Sequence, residues 1–146
     1  MESYLETAIE IAREAGGLIA QLAKRPQEIS YKRRSDLVTE TDRRSEALIV
    51  ERLRSHFPQH AIVGEEGGAQ NTGSDYCWYV DPLDGTTNFA HGFPVFCVSL
   101  GLAYQEEVIA GVVYDPTREE LFTAERGAGA YLNHERIRVS KTASLS

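Results

Sequence analysis

The residues best suited to chemistry lie in one run, Trp78-Tyr79-Val80-Asp81-Pro82-Leu83-Asp84-Gly85-Thr86-Thr87-Asn88-Phe89. Apolar residues lead to Asp81 at the end of a predicted strand, and Pro82 holds Asp81 out of helical geometry. A turn at Asp84 then leads into a possible helix start. The run therefore concentrates two carboxylates, the Leu83 carbonyl and several free backbone N–H groups in a small volume.

These groups match what a metal ion and a phosphate require. Hard cations such as Mg²⁺ bind carboxylate and carbonyl oxygens, and phosphate binds the N–H groups at the start of a helix. A strand end followed by a β-turn and a helix cap uses the same residue types. Taken alone, the run is therefore open to a structural as well as a functional interpretation.

Two further acidic segments precede this run. Gly64-Glu65-Glu66-Gly67-Gly68 follows a short strand, and its adjacent acids could supply another hard ligand and a general base, or form an exposed acidic turn. In Ser35-Asp36-Leu37-Val38-Thr39-Glu40-Thr41-Asp42, the last residue could simply cap the second helix. Lys32, taken alone, is typical of a surface lysine.

The charge distribution bears on the metal hypothesis. The net charge of −7 comes from residues 59–146, which hold twelve acidic and five basic side chains, whereas residues 1–58 hold ten of each. Between Arg54 and Arg118 there is no Lys or Arg. Carboxylates that converge there would have no local base, and a bound cation would relieve their repulsion; acids scattered over a solvated surface are the alternative. The acidic balance argues against nucleic acid as a partner.

Two amphipathic helices are predicted to come first. Helical spacing of apolar residues begins after a capping box opened by Ser3, and Pro26 is predicted to close this helix. The second helix is predicted to start near Thr39 or Thr41 and to run to about Phe57.

Strands are predicted to follow the helices, each bounded by Gly, Pro or Asp. Their ranges are Ala61–Val63, 77–80, 95–104, 108–114, 120–124, and a closing hairpin of 130–132 and 137–139. Residues 67–75 are predicted to form a turn-rich loop. Two helices followed by successive strands indicate an α+β fold with both helices packed on one face of a largely antiparallel sheet.

The sequence has the features expected of a soluble cytoplasmic protein with no membrane partner. Its first residues carry acids where a signal peptide needs a basic flank, and no apolar stretch approaches transmembrane length. Cys77 and Cys97 lack metal-type spacing and have apolar neighbours. They are predicted to be buried, reduced thiols.

Taken together, these motifs resemble those of the inositol monophosphatase family, which comprises Mg²⁺-dependent, lithium-sensitive sugar-phosphate phosphatases. The matching residues, in order, are Lys32, the segment that ends at Asp42, Gly64-Glu65-Glu66, and Asp81-Pro82-Leu83-Asp84-Gly85-Thr86-Thr87-Asn88-Phe89 with His91. The resemblance extends over nearly the whole chain and implies the first half of the sugar phosphatase fold.

The resemblance also implies metal ligands. Glu65, Asp81 and the Leu83 carbonyl would hold a first Mg²⁺. Asp81 would bridge to a second ion that it shares with Asp84. Two or three Mg²⁺ ions are expected in the complete site, and Mn²⁺ could substitute for them.

Roles in catalysis follow from the same resemblance. Thr86 would orient the attacking water with support from Asp42, and Glu65 would help to activate that water. The N–H groups of Gly85 and Thr86 would hold the phosphate. Three further residues would surround these groups without binding metal or phosphate directly: Lys32, Glu66 and Thr87.

The implied reaction is direct hydrolysis of a small phosphomonoester, foremost myo-inositol monophosphate, by a metal-activated water without a covalent phosphoenzyme. Phosphatases with an aspartyl nucleophile use Asp-x-Asp-Gly-Thr, with one residue between the acids. Here Pro82 and Leu83 separate Asp81 from Asp84. Asp81 is therefore interpreted as a metal ligand and not as a nucleophile.

Members of the family continue into a second α/β domain, which supplies another metal-ligand Asp from a Trp-Asp motif and most contacts to the sugar. Trp78 is the single tryptophan and belongs to the first motif. Residues 1–146 are therefore interpreted as the amino-terminal metal- and phosphate-binding domain, with the carboxy-terminal domain absent from this chain. We expect weak or no activity from the chain alone, and a homodimer for the complete protein.

Two alternatives to an inositol monophosphate phosphatase stay open. The substrate could be another sugar or alcohol phosphate, such as fructose 1,6-bisphosphate or histidinol phosphate. The chain could also be a non-catalytic fragment that binds a metal or a partner chain.

Overall fold

The computed structural model describes residues 3–25, 29–31, 37–65 and 67–145. Within these ranges the chain begins with helix α1 (Tyr4–Leu22), and helix α2 (Glu40–His56) follows after two short strands. The Ser3 hydroxyl caps α1 by accepting a hydrogen bond from the Glu6 N–H at 3.3 Å. The predicted bounds of α2 are confirmed, but α1 ends at Leu22; the predicted stop, Pro26, lies outside the described residues.

The strands have the following bounds: β1 (Ile29–Tyr31), β2 (Leu37–Thr39), β3 (Ala61–Val63), β4 (Ala69–Gln70), β5 (Tyr76–Asp84), β6 (Cys97–Tyr104), β7 (Glu107–Asp115), β8 (Glu120–Glu125), β9 (Gly129–Leu132) and β10 (Glu135–Ile137). A short helix α3 (Thr86–Ala90) follows β5. Strands β1 and β2 form a small antiparallel sheet. The main sheet has the order β10-β9-β8-β7-β6-β5-β3-β4, and among the described strands only its β3–β5 pair is parallel.

Both long helices pack on one face of the main sheet. Helix α1 lies against β6 and β7, α2 lies against β5, and the two helices pack on each other. Side chains alternate along β5, so Trp78 and Val80 are buried under the helices whereas Tyr79 between them is 50% exposed on the opposite face. The predicted α+β architecture is therefore confirmed, and the core lies between the helix pair and this face of the sheet.

The structure corrects several details of the predicted elements. The last strand, predicted at 137–139, is β10 (Glu135–Ile137). Strand β5 does not end before Asp81 but continues to Asp84. The predicted loop 67–75 contains the short strand β4, which pairs with β3. The predicted burial of Cys77 and Cys97 is wrong, because both free thiols are only half-buried. Each lies on β5 or β6 with its side chain away from the most buried positions, which neighbouring apolar residues in the sequence did not reveal.

Among the described residues, none of the helices combines the length and the apolar character that crossing a bilayer requires.

Candidate active site

An irregularity in the pairing of β5 with β6 brings Asp81 and Asp84 to the same face of the sheet. Asp81 pairs with Ser99, but Asp84 pairs with Cys97, so three steps along β5 match two steps along β6. Residues three apart on a regular strand point to opposite faces, and one extra residue in a bulge restores them to the same face. Pro82 suits this position because it has no N–H for the interrupted ladder.

The parallel pairing of β3 with β5 brings Glu65 toward Asp81. In this register Val63 lies beside Tyr79. Each carboxylate then lies two residues beyond this pair, Glu65 in the turn after β3 and Asp81 on β5. Strands that run parallel present their carboxyl ends at one edge, so residues 16 positions apart in sequence become neighbours.

Asp42 both caps helix α2 and reaches the segment after β5. One of its carboxylate oxygens, Oδ2, accepts hydrogen bonds from the N–H and the hydroxyl of Thr39, which completes a capping box. The other, Oδ1, accepts a hydrogen bond from the Thr86 hydroxyl at 2.8 Å. Asp42 is 2% exposed. The capping interpretation is therefore correct, and the same side chain also orients Thr86.

The Thr86 hydroxyl lies between two acceptors. Its Oγ1 is 2.8 Å from Asp42 Oδ1 and 3.0 Å from the Leu83 carbonyl oxygen. One hydroxyl hydrogen satisfies one strong acceptor at a time, and a carboxylate competes for it better than a carbonyl. A hydroxyl that donates to Asp42 presents its lone pairs elsewhere, so it can accept a hydrogen bond from a water molecule.

Gly85 begins helix α3 in a conformation that favours glycine. Its φ is +91°, and a Cβ at this position would lie 2.8 Å from the Val95 carbonyl oxygen. The Phe89 N–H donates to the Gly85 carbonyl at 2.9 Å, which closes the first turn of the helix. N–H groups at a helix start have no acceptor inside the helix, so this turn offers donors directly after Asp84.

Asp81 lies close to the other carboxylates of the site. Burial, followed by the neighbouring carboxylates of Glu65, Asp84 and Asp42, raises the pKa of Asp81 to about 6. Among the described residues, no hydrogen-bond partner reaches Asp81 Oδ1, which is buried. A buried oxygen without a donor is costly, and a cation is the simplest partner for an oxygen surrounded by other carboxylates.

Cys97 closes one side of this cluster. Its thiol donates to Asp84 Oδ2 across 3.7 Å. Burial, together with the charge of Asp84, raises the pKa of Cys97 to about 12. The thiol therefore stays protonated near neutral pH, which argues against Cys97 as a nucleophile or as a thiolate ligand for a soft metal.

A cleft of about 330 Å³ opens beside Asp81. It is lined on one side by the turn that carries Glu65 and on the other by Ser99 and Gly101 of β6. Of the proposed site residues, Glu65 and Asp81 line this open volume, and a largely apolar cleft with a few polar groups is typical of a small-molecule site.

The donors fit a hard cation, although they do not form a complete cage. In the part of the chain that the structure describes, no three His, Cys, Asp or Glu side chains converge closely enough to hold a metal ion by themselves. The unpartnered oxygen of Asp81, the adjacent Glu65 and Asp84, and the Leu83 carbonyl are all hard oxygen donors. Mg²⁺ keeps several waters and needs only one or two carboxylates, so such a partial set suits it.

Three predicted site residues are still to be placed. Lys32 and Glu66 lie outside the described residues. Thr87 lies on α3 with an exposed side chain.

Sequence reasoning missed two polar residues of α2. Ser45 is fully buried and donates from its hydroxyl to the Pro82 carbonyl at 2.7 Å, directly beneath the bulge. Glu46 is 5% exposed. Both continue the buried helical face of Ile49 and Leu53 toward Asp42. Polar residues in register with an apolar face were the available signal.

Comparison with known proteins identifies the family. The sequence model of the inositol monophosphatase family matches residues 1–146. The chain belongs to this family. Inositol monophosphatase 2 of Solanum lycopersicum is 47% identical to it over 150 residues, which cover 99% of this chain and 57% of that protein.

Two further relatives carry names other than inositol monophosphatase alone. A protein of Aquifex aeolicus named fructose-1,6-bisphosphatase/inositol-1-monophosphatase is 44% identical and covers 99% of this chain and 56% of its own length. The crystal structure of the extragenic suppressor protein suhB from Bartonella henselae superposes with a TM-score of 0.93 at 38% identity, covering 97% of this chain and 56% of that chain. The chain thus spans about half the length of the curated relatives it matches.

Proposed function

We propose that the protein to which this chain belongs is a Mg²⁺-dependent phosphatase of a small phosphomonoester, with myo-inositol monophosphate as its substrate. The observation that carries the proposal is the hydrogen bond from Thr86 to Asp42 beside the unpartnered Asp81 oxygen. The Thr86 hydroxyl, which can orient a water molecule, thus lies close to the Asp81 carboxylate, which can bind a cation. Membership of the inositol monophosphatase family supports the same reaction class.

In the proposed reaction each residue acts on water or on phosphate. Thr86, held by Asp42, accepts a hydrogen bond from the attacking water and fixes its direction. Glu65 takes up the proton that the water releases. The N–H groups of Gly85 and Thr86 bind the phosphate oxygens at the start of α3.

The metal would be held by Glu65, Asp81, Asp84 and the Leu83 carbonyl. When bound, Mg²⁺ or Mn²⁺ supplies Lewis acidity toward water and phosphoryl oxygens, and it neutralises the carboxylates that raise the pKa of Asp81. The remaining contacts to metal and sugar would come from the part of the relatives that this chain does not span. The expected compartment is the cytoplasm, and the expected assembly is a homodimer.

A second substrate is supported by one comparison. The name of the Aquifex aeolicus relative includes fructose-1,6-bisphosphatase. We therefore keep fructose 1,6-bisphosphate as the alternative substrate, because the residues that would contact the sugar lie outside the matched half.

The proposal is tested by phosphate release. This chain is produced alone and joined to the second half of the Solanum lycopersicum relative, and both are assayed with myo-inositol 1-phosphate, fructose 1,6-bisphosphate and histidinol phosphate in Mg²⁺. We expect little release by the chain alone and turnover by the joined protein, with a loss of at least about 100-fold in Asp81→Asn.

Glu51→Ala serves as the matched control, because Glu51 is an exposed carboxylate on α2, away from the site. A joined protein that folds and releases phosphate from none of the three substrates would instead support the non-catalytic alternative.

A further inference from the structure

Glu46 is a buried carboxylate without an assigned role. It lies four residues after Asp42 on α2, on the same helical face, and it is 5% exposed. Burying a carboxylate is costly unless the surroundings are built to receive it. Its position under the candidate site therefore raises the question of what the Glu46 carboxylate does there.

The carboxylate of Glu46 packs directly against the turn that carries Glu65. A Cβ added to Gly64 would lie 2.8 Å from Glu46 Cδ, and a Cβ added to Gly67 would lie 3.1 Å from Glu46 Oε2. Neither glycine has a positive φ. The two glycines thus lie against the Glu46 carboxylate, and a side chain at either position would have to displace it.

The strand pairing alone does not fix Glu65. The β3–β5 ladder ends with Val63 beside Tyr79, and Glu65 lies two residues beyond it. The Gly64 N–H donates a hydrogen bond of 3.3 Å to the Gly68 carbonyl, and this bond does not connect Glu65 to α2. Contact with the Glu46 carboxylate adds a constraint from α2 on the residues that flank Glu65.

We propose that Glu46 is a positioning residue whose carboxylate packs against Gly64 and Gly67 and so holds Glu65 beside Asp81. The inference rests on the proposed function in one respect, namely that Glu65 is a metal ligand. Glu46 itself is not a catalytic residue, since it acts through the turn. Helix α2 then supports the site at three points: Asp42 on Thr86, Ser45 on Pro82 and Glu46 on the turn.

The first test needs no metal. Amide hydrogen exchange is compared between the metal-free chain and its Glu46→Ala, Glu46→Gln and Glu51→Ala variants. We expect Glu46→Ala to speed exchange in residues 64–68 about tenfold or more while α1 and β6 keep their protection. Glu46→Gln, which keeps the volume, should have a smaller effect, and Glu51→Ala should match the wild type.

The second test uses the space between Glu46 and Gly64. Gly64→Ala should displace the carboxylate and speed exchange in the turn as Glu46→Ala does. In the double variant Gly64→Ala/Glu46→Ala the steric conflict is gone. Its loss of protection should therefore be no greater than that of Glu46→Ala alone, a non-additive result expected for groups that contact each other or act on the same turn.

The third test measures Mn²⁺ binding by electron paramagnetic resonance. We expect Glu46→Ala to raise the Kd for Mn²⁺ about 10-fold, which is within the range found for residues that orient metal ligands. A wild-type chain that binds no Mn²⁺ would count against the proposed function, and the exchange data would still decide the role of Glu46. Unchanged exchange in the turn, or a uniform loss of protection throughout the chain, would overturn the positioning role.

Discussion

Asp81 combines a cost in stability with a proposed gain in function. Its pKa is raised to about 6, first by burial and then by Glu65 and Asp84, from an ordinary value of 3.8. The folded state therefore holds the proton of Asp81 more tightly than the unfolded state does. This contribution to the free energy of unfolding is lost as the pH rises from about 4 through about 6.

We predict that Asp81→Asn stabilises the metal-free chain at pH 7 and not at pH 4. The variant removes an ionised carboxylate from a site that repels it, and partial exposure limits the gain to about 1–2 kcal/mol. Urea unfolding of both proteins at the two pH values, in the presence of a chelator, measures the difference. A variant less stable than the wild type at pH 7 would show that the hydrogen bond from the Leu83 backbone to ionised Asp81 outweighs its burial and the repulsion by Glu65 and Asp84.

Thr86 and Asp42 show a division of labour between the two oxygens of one carboxylate. Oδ2 of Asp42 closes the capping box with Thr39, and Oδ1 receives the Thr86 hydroxyl. A single residue thereby couples the start of α2 to the start of α3. Asp42 is therefore placed both to stabilise the helix and to orient the proposed water-binding hydroxyl.

At the scale of elements, α2 stabilises the irregular end of β5. The Ser45 hydroxyl donates to the Pro82 carbonyl at 2.7 Å, and both groups are buried. The bulge removes regular ladder bonds around Pro82, so this side chain provides a partner that the sheet does not.

Ser45→Ala should lower the free energy of unfolding by about 1–2 kcal/mol, because it leaves the Pro82 carbonyl buried without its donor. It should also weaken Mn²⁺ binding, because the bulge sets the relation of Asp81 to Asp84. Urea unfolding and Mn²⁺ titration are the measurements, with Ser55→Ala on the exposed end of α2 as the control. Equal values for Ser45→Ala and wild type would remove Ser45 from the site.

The sequence allowed the elements to be predicted better than their pairing. The bounds of α2 followed from its cap at Thr39 and from its apolar spacing, and the strands followed from short apolar runs. The parallel pairing of β3 with β5 could not be derived, because register between strands depends on tertiary contacts. This pairing brings Glu65 toward Asp81. The motifs and the family resemblance therefore predicted which residues belong to the site, but not how the fold brings them together.

The bulge was missed for a related reason. The strand was predicted to span residues 77–80, because the apolar run stops at Val80 and Asp81 follows it. The structure instead continues the strand by one irregular step, and that step turns Asp84 to the face of Asp81. The positions of Ser45 and Glu46 beneath this segment depend on how α2 crosses the sheet, which local sequence does not specify.

At the scale of the whole molecule, the sheet is covered unevenly. Helices α1 and α2 bury one face, whereas Tyr79, Val113, Phe122 and Ile137 remain at least 36% exposed on the other. The chain spans about half the length of its curated relatives.

An aromatic cluster closes the opposite end of the core and makes stability depend on pH. His60 stacks between Phe57 and Tyr76 with ring centroids 4.8 and 4.7 Å away, and its Nδ1 accepts a hydrogen bond of 3.0 Å from the Trp78 indole N–H. Burial lowers the pKa of His60 below its ordinary value. Protonation at Nδ1 would remove the acceptor that Trp78 uses.

The free energy of unfolding should therefore fall as the pH drops below about 6.5, because the unfolded state then binds the proton that folded His60 resists. Asp81 acts in the opposite direction, so the comparison is made in the Asp81→Asn background. His60→Gln should flatten the pH dependence between 7 and 5 in urea unfolding. The same slope with and without His60 would assign the effect to other groups.

The central claim is that Glu65, Asp81 and the Leu83 carbonyl form a site for a divalent cation within this chain. Calorimetric titration with Mg²⁺ and Mn²⁺, beside Asp81→Asn and the Glu51→Ala control, tests it most directly. The account predicts weak binding, with a Kd up to about 1 mM, that Asp81→Asn abolishes and Glu51→Ala retains. Binding that survives in Asp81→Asn, or no binding by a folded wild-type chain, would contradict it.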